Sequence, residues 1–300
     1  MYADEIERSA YNALYGSVNT LGSVNNNDTV FDMKWFRDVY DVHIKKYGPQ
    51  MFDSYSPLIK GTRGRAVGGF RPMRDNSAFC GCCIAIGAAG TALVPNIAVM
   101  EAENGFVFNF YMNGVYRSDD FEMHIRSDYP FGTKVEISIK GNKRKEIRLR
   151  RPYFSNRFSV TINDRCVSYE MDNGYAVISC DWCDKDKINI ELDMNPRVMH
   201  GVANTDDNSS EDHAAFMYGP LLLALDARIS EVGGEIAVCD DNVSIKSIGM
   251  HATEDMHIFE VGAGEQRMIM TDYASAGKTW NTGSEMEAWI KTKRKDSKCL

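Results

Sequence analysis

A chain of 300 residues with 44% hydrophobic and 25% charged content has the composition of a folded globular protein, long enough for one large domain or two to three small ones. A net charge of -8 and a pI near 5.3 leave no basic footprint for a nucleic-acid backbone or an anionic membrane surface, and the basic run at 141–151 reads as a solvated turn entering a strand. Eight cysteines are too sparse for a disulfide scaffold; with no secretory pattern in the first ten residues and no apolar run long enough to span a bilayer, the expectation is a soluble cytoplasmic protein.

Residues 2–15 place Ala3, Ile6, Ala10, Ala13 and Leu14 on one helical face, with Asp4, Glu5, Glu7 and Arg8 mostly opposite, which predicts an amphipathic helix. No Ser, Thr, Asp or Asn precedes its apolar pattern as a cap, so the helix reads as part of a larger helical assembly. Residues 16–30 form a Gly/Ser/Asn-rich connection, 31–48 read as a second, aromatic-rich helix, and 49–74 as a loop interrupted by Gly61, Gly64, Gly68 and Gly69. Asn76 or Ser77 is placed to cap a helix over 77–94 that Pro95 ends.

After Asn104 the pattern changes to period-two alternation, predicting strands within 105–112, 121–126, 134–141, 145–152, 158–164, 174–182 and 187–194. A polar loop over 202–213 precedes the apolar run 214–227, and further strands are expected around Glu235–Val238, Val243–Ile248, Met256–Glu260, Gln266–Thr271 and Glu285–Lys291. The expected architecture is α+β and multidomain: a helical piece over 1–103, an antiparallel β-sandwich over 104–200, and a second sandwich or its continuation over 201–300. Two or three helices cannot close a core by themselves, so self-association or an additional chain is expected to cover the helical face.

Cys80, Cys82 and Cys83 crowd three thiols into four residues. They read either as small buried hydrophobes or as a thiolate site, because cysteines near a helix N-terminus feel the favourable end of the macrodipole and Zn²⁺ deprotonates thiols outright. Adjacent Cys82 and Cys83 point in different directions, so a tetrahedral zinc site built on them needs ligands from elsewhere. Cys180 and Cys183 have a C-x-x-C spacing with no second pair, at the end of a predicted strand, and read as structural; Cys166, Cys239 and Cys299 stand alone. The six histidines show no metal-ligand spacing, and no G-x-S-x-G, Walker loop or dinucleotide fingerprint occurs.

Five stretches, at 2–16, 81–90, 105–114, 147–182, and 217–226 with 271–280, resemble in matching order the β-L-arabinofuranosidase-like enzymes of glycoside hydrolase family 127. The resemblance implies an (α/α)₆ catalytic barrel followed by β-sandwich domains, of which this chain corresponds to the last barrel helices and the sandwiches. It also implies Cys82 as a nucleophile that forms an S-glycosyl intermediate, with Cys82 and Cys83 as zinc ligands; Cys80, an additional thiol outside the family's pattern, is a candidate substitute ligand. The sequence departs from the family's pattern in two places. A Glu-x-Cys ligand pair and the acid/base Glu belong upstream of residue 2 in that pattern, and Ile84-Ala85-Ile86 replaces Pro-Pro-Asn. The resulting expectation is a retaining zinc-thiolate glycosidase for L-arabinofuranosides or a related plant-type sugar, N-terminally truncated and inactive alone. Two other classes compete with it: a non-catalytic carbohydrate-binding or docking sandwich with an aromatic platform from 108–116 or 272–280, and a thiol-based metal or redox protein on Cys80, Cys82 and Cys83.

Overall fold

The computed structural model describes residues 2–17, 71–72, 79–80, 82–202, 212–236, 243–264, 266–277 and 285–293. The helix expected over 31–48, the loop 49–74 apart from 71–72, the capping candidates Asn76 and Ser77, and residues 203–211 lie outside them. The chain divides into two compact units, one from 1–10 with 91–195 and the other from 11–90 with 196–300. It is mostly β; of the helical piece, the described residues hold α1 (Tyr2–Ser9), continued by a π-helical turn at Ala10–Leu14, and α2 (Cys82–Ala98). No helix among the described residues is long and apolar enough to cross a membrane.

Both bounds expected for the second of these helices are corrected. Residues 79–80 form a short strand, β2 (Phe79–Cys80), paired antiparallel with β1 (Arg71–Pro72), so α2 begins only at Cys82. At its other end α2 runs through Pro95 to Ala98. A proline in the last turn removes a single intrahelical donor, and the Asn96 side chain caps a neighbouring carbonyl by donating to Ala92 O at 3.0 Å.

In the first unit eleven strands follow α2: β3 (Val99–Ala102), β4 (Gly105–Phe108), β5 (Gly114–Arg117), β6 (Glu122–Ser127), β7 (Lys134–Lys140), β8 (Lys143–Arg150), β9 (Phe158–Ile162), β10 (Arg165–Cys166), β11 (Glu170–Asp172), β12 (Tyr175–Trp182) and β13 (Lys187–Leu192). They form a six-stranded sheet, β10-β9-β13-β7-β6-β5, and a five-stranded sheet, β11-β12-β8-β4-β3, in which only β4 and β8 run parallel. The alternation read from the sequence is what makes a sandwich. Met123, Ile125, Val135, Ile137, Ile139, Ile188 and Ile190 bury one face of the first sheet, and Phe106, Phe108, Ile147, Leu149, Ala176, Ile178 and Trp182 one face of the second. Phe106 meets Tyr116 of the opposite sheet with ring centroids 5.6 Å apart. Gly105 has to be glycine, since a Cβ there would stand 1.7 Å from the Glu146 carbonyl oxygen.

The second unit holds a nine-stranded sheet: β14 (Arg197–His200), β15 (His213–Tyr218), β16 (Leu221–Asp226), β17 (Glu235–Ile236), β18 (Val243–Met250), β19 (His257–Ala263), β20 (Gln266–Asp272), β21 (Met286–Glu287) and β22 (Ile290–Thr292). The apolar run after residue 213 forms its central hairpin, β15–β16, where nearly every side chain is buried. A strand covered on both faces shows no alternation, which is why the sequence pattern did not separate it into strands. Asn12 grips the turn of this hairpin from both sides, its Nδ2 donating to Pro220 O at 2.9 Å and its Oδ1 accepting from Leu222 N at 2.7 Å.

The expected solvent face of α1 is also corrected, because Glu7 is 1% exposed. Arg150, at the end of β8 and 2% exposed, donates from Nη2 to Glu7 Oε1 at 2.5 Å, from Nη1 to Asp4 Oδ1 at 2.5 Å and from Nε to Asn109 O at 2.5 Å. Its cation also lies over the Phe110 ring, 5.6 Å from the centroid. Burial raises the Glu7 carboxyl while Arg150 pulls it back down. Replacing Arg150 by Ala leaves two carboxylates facing a dry site and is expected to cost about 3–5 kcal/mol in urea unfolding. Arg144→Ala, which removes an exposed pair with Asp181, is expected to leave the midpoint unchanged; equal effects of the two substitutions would contradict this account.

Candidate functional site

The three clustered cysteines meet at a strand-to-helix junction. Cys80 closes β2 opposite Arg71, and Cys82 and Cys83 are the first two residues of α2; the side chains of all three lie outside the described residues. The first turn of a helix leaves its amides without intrahelical partners and presents the positive end of the dipole, both of which favour a thiolate over a thiol. Further along α2, Gly90 lies against Leu14, whose Cδ1 would be 3.3 Å from an added Cβ, so the small residue lets this helix approach the π-helical turn closely. Ile86 and Leu93 of α2 stand 72% and 54% exposed.

This donor set suits Zn²⁺ in chemistry, since thiolate sulfur is a preferred ligand, and two thiolates from one helical turn leave coordination positions for donors from elsewhere. Among the described residues no group of three or more His, Cys, Asp or Glu side chains is arranged to hold a metal ion.

The remaining candidates separate. Cys180 and Cys183 are both free thiols at the end of β12, where Cys183 N donates to Asp186 Oδ2 at 2.8 Å to close a turn. Burial raises the half-buried Cys180, helped by Asp186 and Asp181. His124 pairs with Glu122 at 2.7 Å in the six-stranded sheet, and His257 meets the Ser247 hydroxyl at 2.6 Å in the nine-stranded sheet. Of the aromatic residues considered for a sugar platform, Phe108, Phe110, Tyr111 and Tyr273 are buried, Tyr116 is half-buried, and Trp280 lies outside the described residues.

One cluster carried no sequence signal. Asp226, at the end of β16, accepts from Arg228 Nη2 at 2.7 Å, Arg228 Nε at 2.8 Å and the Gly277 amide at 2.7 Å, while Arg228 reaches Glu254 at 3.3 Å and donates to Ser275 O at 3.0 Å. It fastens the two family-like stretches 217–226 and 271–280 to each other. Only the spacing Asp-x-Arg could have hinted at it, and that spacing is common. Burial works to raise the Asp226 carboxyl, but the Arg228 guanidinium and the Gly277 amide outweigh it and hold the group below its ordinary range.

With this geometry in hand, the likeness to known proteins can be placed. Residues 105–194, which hold the sandwich of the first unit apart from β3, match the family described as Beta-L-arabinofuranosidase, GH127 middle domain. Three solved structures share the fold: a GH127 β-L-arabinofuranosidase from Geobacillus stearothermophilus T6 (TM-score 0.64, 15% identity, 97% of this chain and 46% of that one), a GH127 β-arabinofuranosidase (0.65, 16%, 97% and 46%), and a glycoside hydrolase (0.63, 16%, 98% and 48%). This chain therefore spans about half the length of the structures it matches. No curated protein matches it.

Two outcomes test this description. Brief alkylation with iodoacetamide followed by peptide mass mapping is expected to label exposed Cys166 and Cys183 before Cys180; earliest labelling at Cys180 would contradict its burial. Because the folded Asp226 is held low, its contribution to stability is complete above the unfolded carboxyl pKa of about 3.9 and is lost as pH falls through the lower folded value. Asp226→Asn is thus expected to destabilise at neutral pH and to flatten the acid limb of a stability-against-pH curve; an unchanged acid limb would show that the ion pair contributes nothing.

Proposed function

We propose that this chain, which carries the middle domain of glycoside hydrolase family 127, serves a retaining glycoside hydrolase acting on L-arabinofuranosides or a related plant-type sugar, with the Cys82 thiolate as nucleophile. The observation that carries the reading is the placement of Cys82 and Cys83 in the first turn of a 17-residue helix that runs, in sequence, directly into that middle domain. Cys82 sulfur attacks the anomeric carbon as the glycosidic C–O bond breaks, and an acid delivers a proton to the departing oxygen. Water, losing a proton to the same group, then attacks the anomeric carbon and releases the thiolate, so two inversions return the starting configuration. Bound Zn²⁺ would keep the thiols deprotonated, with Cys82 and Cys83 as ligands and Cys80 as a further candidate.

In this reading the acid/base carboxylate and the remaining ligands come from an (α/α)₆ barrel to which α1 and α2 belong. Exposed Ile86 and Leu93 on α2 support it, as apolar side chains that further helices would cover. The chain then works as part of a larger catalytic body.

Zinc content and turnover test the proposal together. In a catalytically complete form about one equivalent of zinc is expected, lost in Cys82→Ala and Cys83→Ala. Hydrolysis of an aryl β-L-arabinofuranoside by a catalytically complete form is expected to fall at least ~10³-fold in Cys82→Ala. Full turnover in Cys82→Ala would overturn the thiol mechanism; full zinc content in both variants would overturn the ligand assignment.

A further inference from the structure

The face of the six-stranded sheet turned away from the core carries an ordered set of polar side chains. Register places Arg126 opposite Glu136, Glu136 opposite Asn189, and Asn189 opposite Thr161, giving one rung across four strands. A second, shorter rung runs beside it from Lys134 to Glu191 to Ser159. Together these side chains line a groove of about 690 Å³.

Its rims are fixed by hydrogen bonds. On one side Asn113 holds Ser127 through both amide atoms, at 2.9 and 2.7 Å, and Asp128 Oδ1 accepts from Lys134 N at 2.8 Å. On the other, a turn with Asn163 and Asp164 at φ 50° and 63° is tied back by Asn163 Oδ1, which accepts from Lys187 N at 3.0 Å. Within the groove, the side chains of Arg126, Ser159, Thr161 and Glu191 make no hydrogen bond or ion pair among the described residues, whereas Glu136 is held by Lys187 at 3.0 Å. The free groups therefore face solvent on a scaffold that does not need them for its own stability.

The chemistry of the rungs selects among occupants. Donors and acceptors alternate at the strand spacing of about 4.8 Å over a reach of roughly 14 Å, and a sugar hydroxyl, being both donor and acceptor, can bridge such neighbours. The carboxylates Asp128, Glu136, Asp164 and Glu191 outnumber the cations Arg126 and Lys134, which disfavours a polyanion such as a uronate chain or a nucleic acid. The apolar lining residues Val135 and Ile190 are each 2% exposed, so there is no surface for an apolar partner. No aromatic side chain lines the groove among the described residues, so recognition there rests on hydrogen bonds rather than on stacking.

We propose that the outer face of the six-stranded sheet is a non-catalytic binding site for a neutral, furanose-containing oligosaccharide, read by Arg126, Glu136, Asn189 and Thr161 with Glu191 beside them. The choice of sugar rests on the proposed glycosidase function; the site itself does not depend on the Cys82 chemistry. Titration calorimetry of the 300-residue chain with a linear arabinofuranosyl pentasaccharide tests it, with a cellulose-derived pentasaccharide and an oligogalacturonate as comparisons. Binding of the arabinofuranosyl chain is expected to weaken at least about fivefold in Asn189→Ala and in Glu191→Gln. Lys246→Ala, at an exposed position of the other unit, is expected to bind as the unsubstituted chain does, with circular dichroism checking that each variant is folded. Cys82→Ala is expected to bind unchanged, so a failure of the thiol mechanism remains distinguishable from a failure of this site. No binding at millimolar sugar, binding unaffected by both groove substitutions, or tighter binding of the oligogalacturonate would overturn the proposal. So would a concentration-dependent dimer that Asn189→Ala abolishes, since a second copy of the chain would then be the occupant.

Discussion

A single buried cation sets the terms for the first unit. Taking a guanidinium out of water costs several kcal/mol, and Arg150 offsets that cost only because two carboxylates, a carbonyl and an aromatic face converge on it. The carboxylates come from α1, more than 140 positions away, where Asp4 and Glu7 are one helical turn apart and so lie on the same side. α1 is thus held to the end of β8 by charge, in a register that an apolar contact would specify less strictly. The second unit uses a neutral counterpart: both ends of the Asn12 amide are spent on the central hairpin turn.

The sequence revealed most where one face of an element is wet and the other dry. Strands β6, β7, β12 and β13 alternate cleanly because solvent takes every second side chain, and their bounds follow closely from the pattern. Legibility failed where that contrast is absent. The hairpin β15–β16 is buried on both faces, and Glu7 counts as polar although Arg150 makes it an interior residue. Pro95 reads as a stop, yet in a last turn it removes one donor and the helix passes through it.

The candidate cysteine cluster was legible as a run of residues, not in its geometry. Three cysteines in four residues stand out in the sequence, but only the fold shows that β2 ends and α2 begins between them, so that two of the three open a helix. The rungs on the outer sheet are the reverse case. Arg126, Glu136, Asn189 and Thr161 are unremarkable polar residues in four separate strands, and only the register brings them into one line. Of the aromatic residues that suggested a sugar platform, Phe108, Phe110 and Tyr111 are instead buried in the core of the first unit.

The central functional claim is that a sulfur atom carries the sugar during turnover. The direct test is to incubate a catalytically complete form with a slowly released aryl β-L-arabinofuranoside, quench in acid, and locate any covalent pentosyl group by peptide mass spectrometry. The account predicts one pentosyl unit on the peptide containing Cys82, attached at that residue. A pentosyl group on a carboxylate, with the Cys82 peptide unmodified, would contradict it.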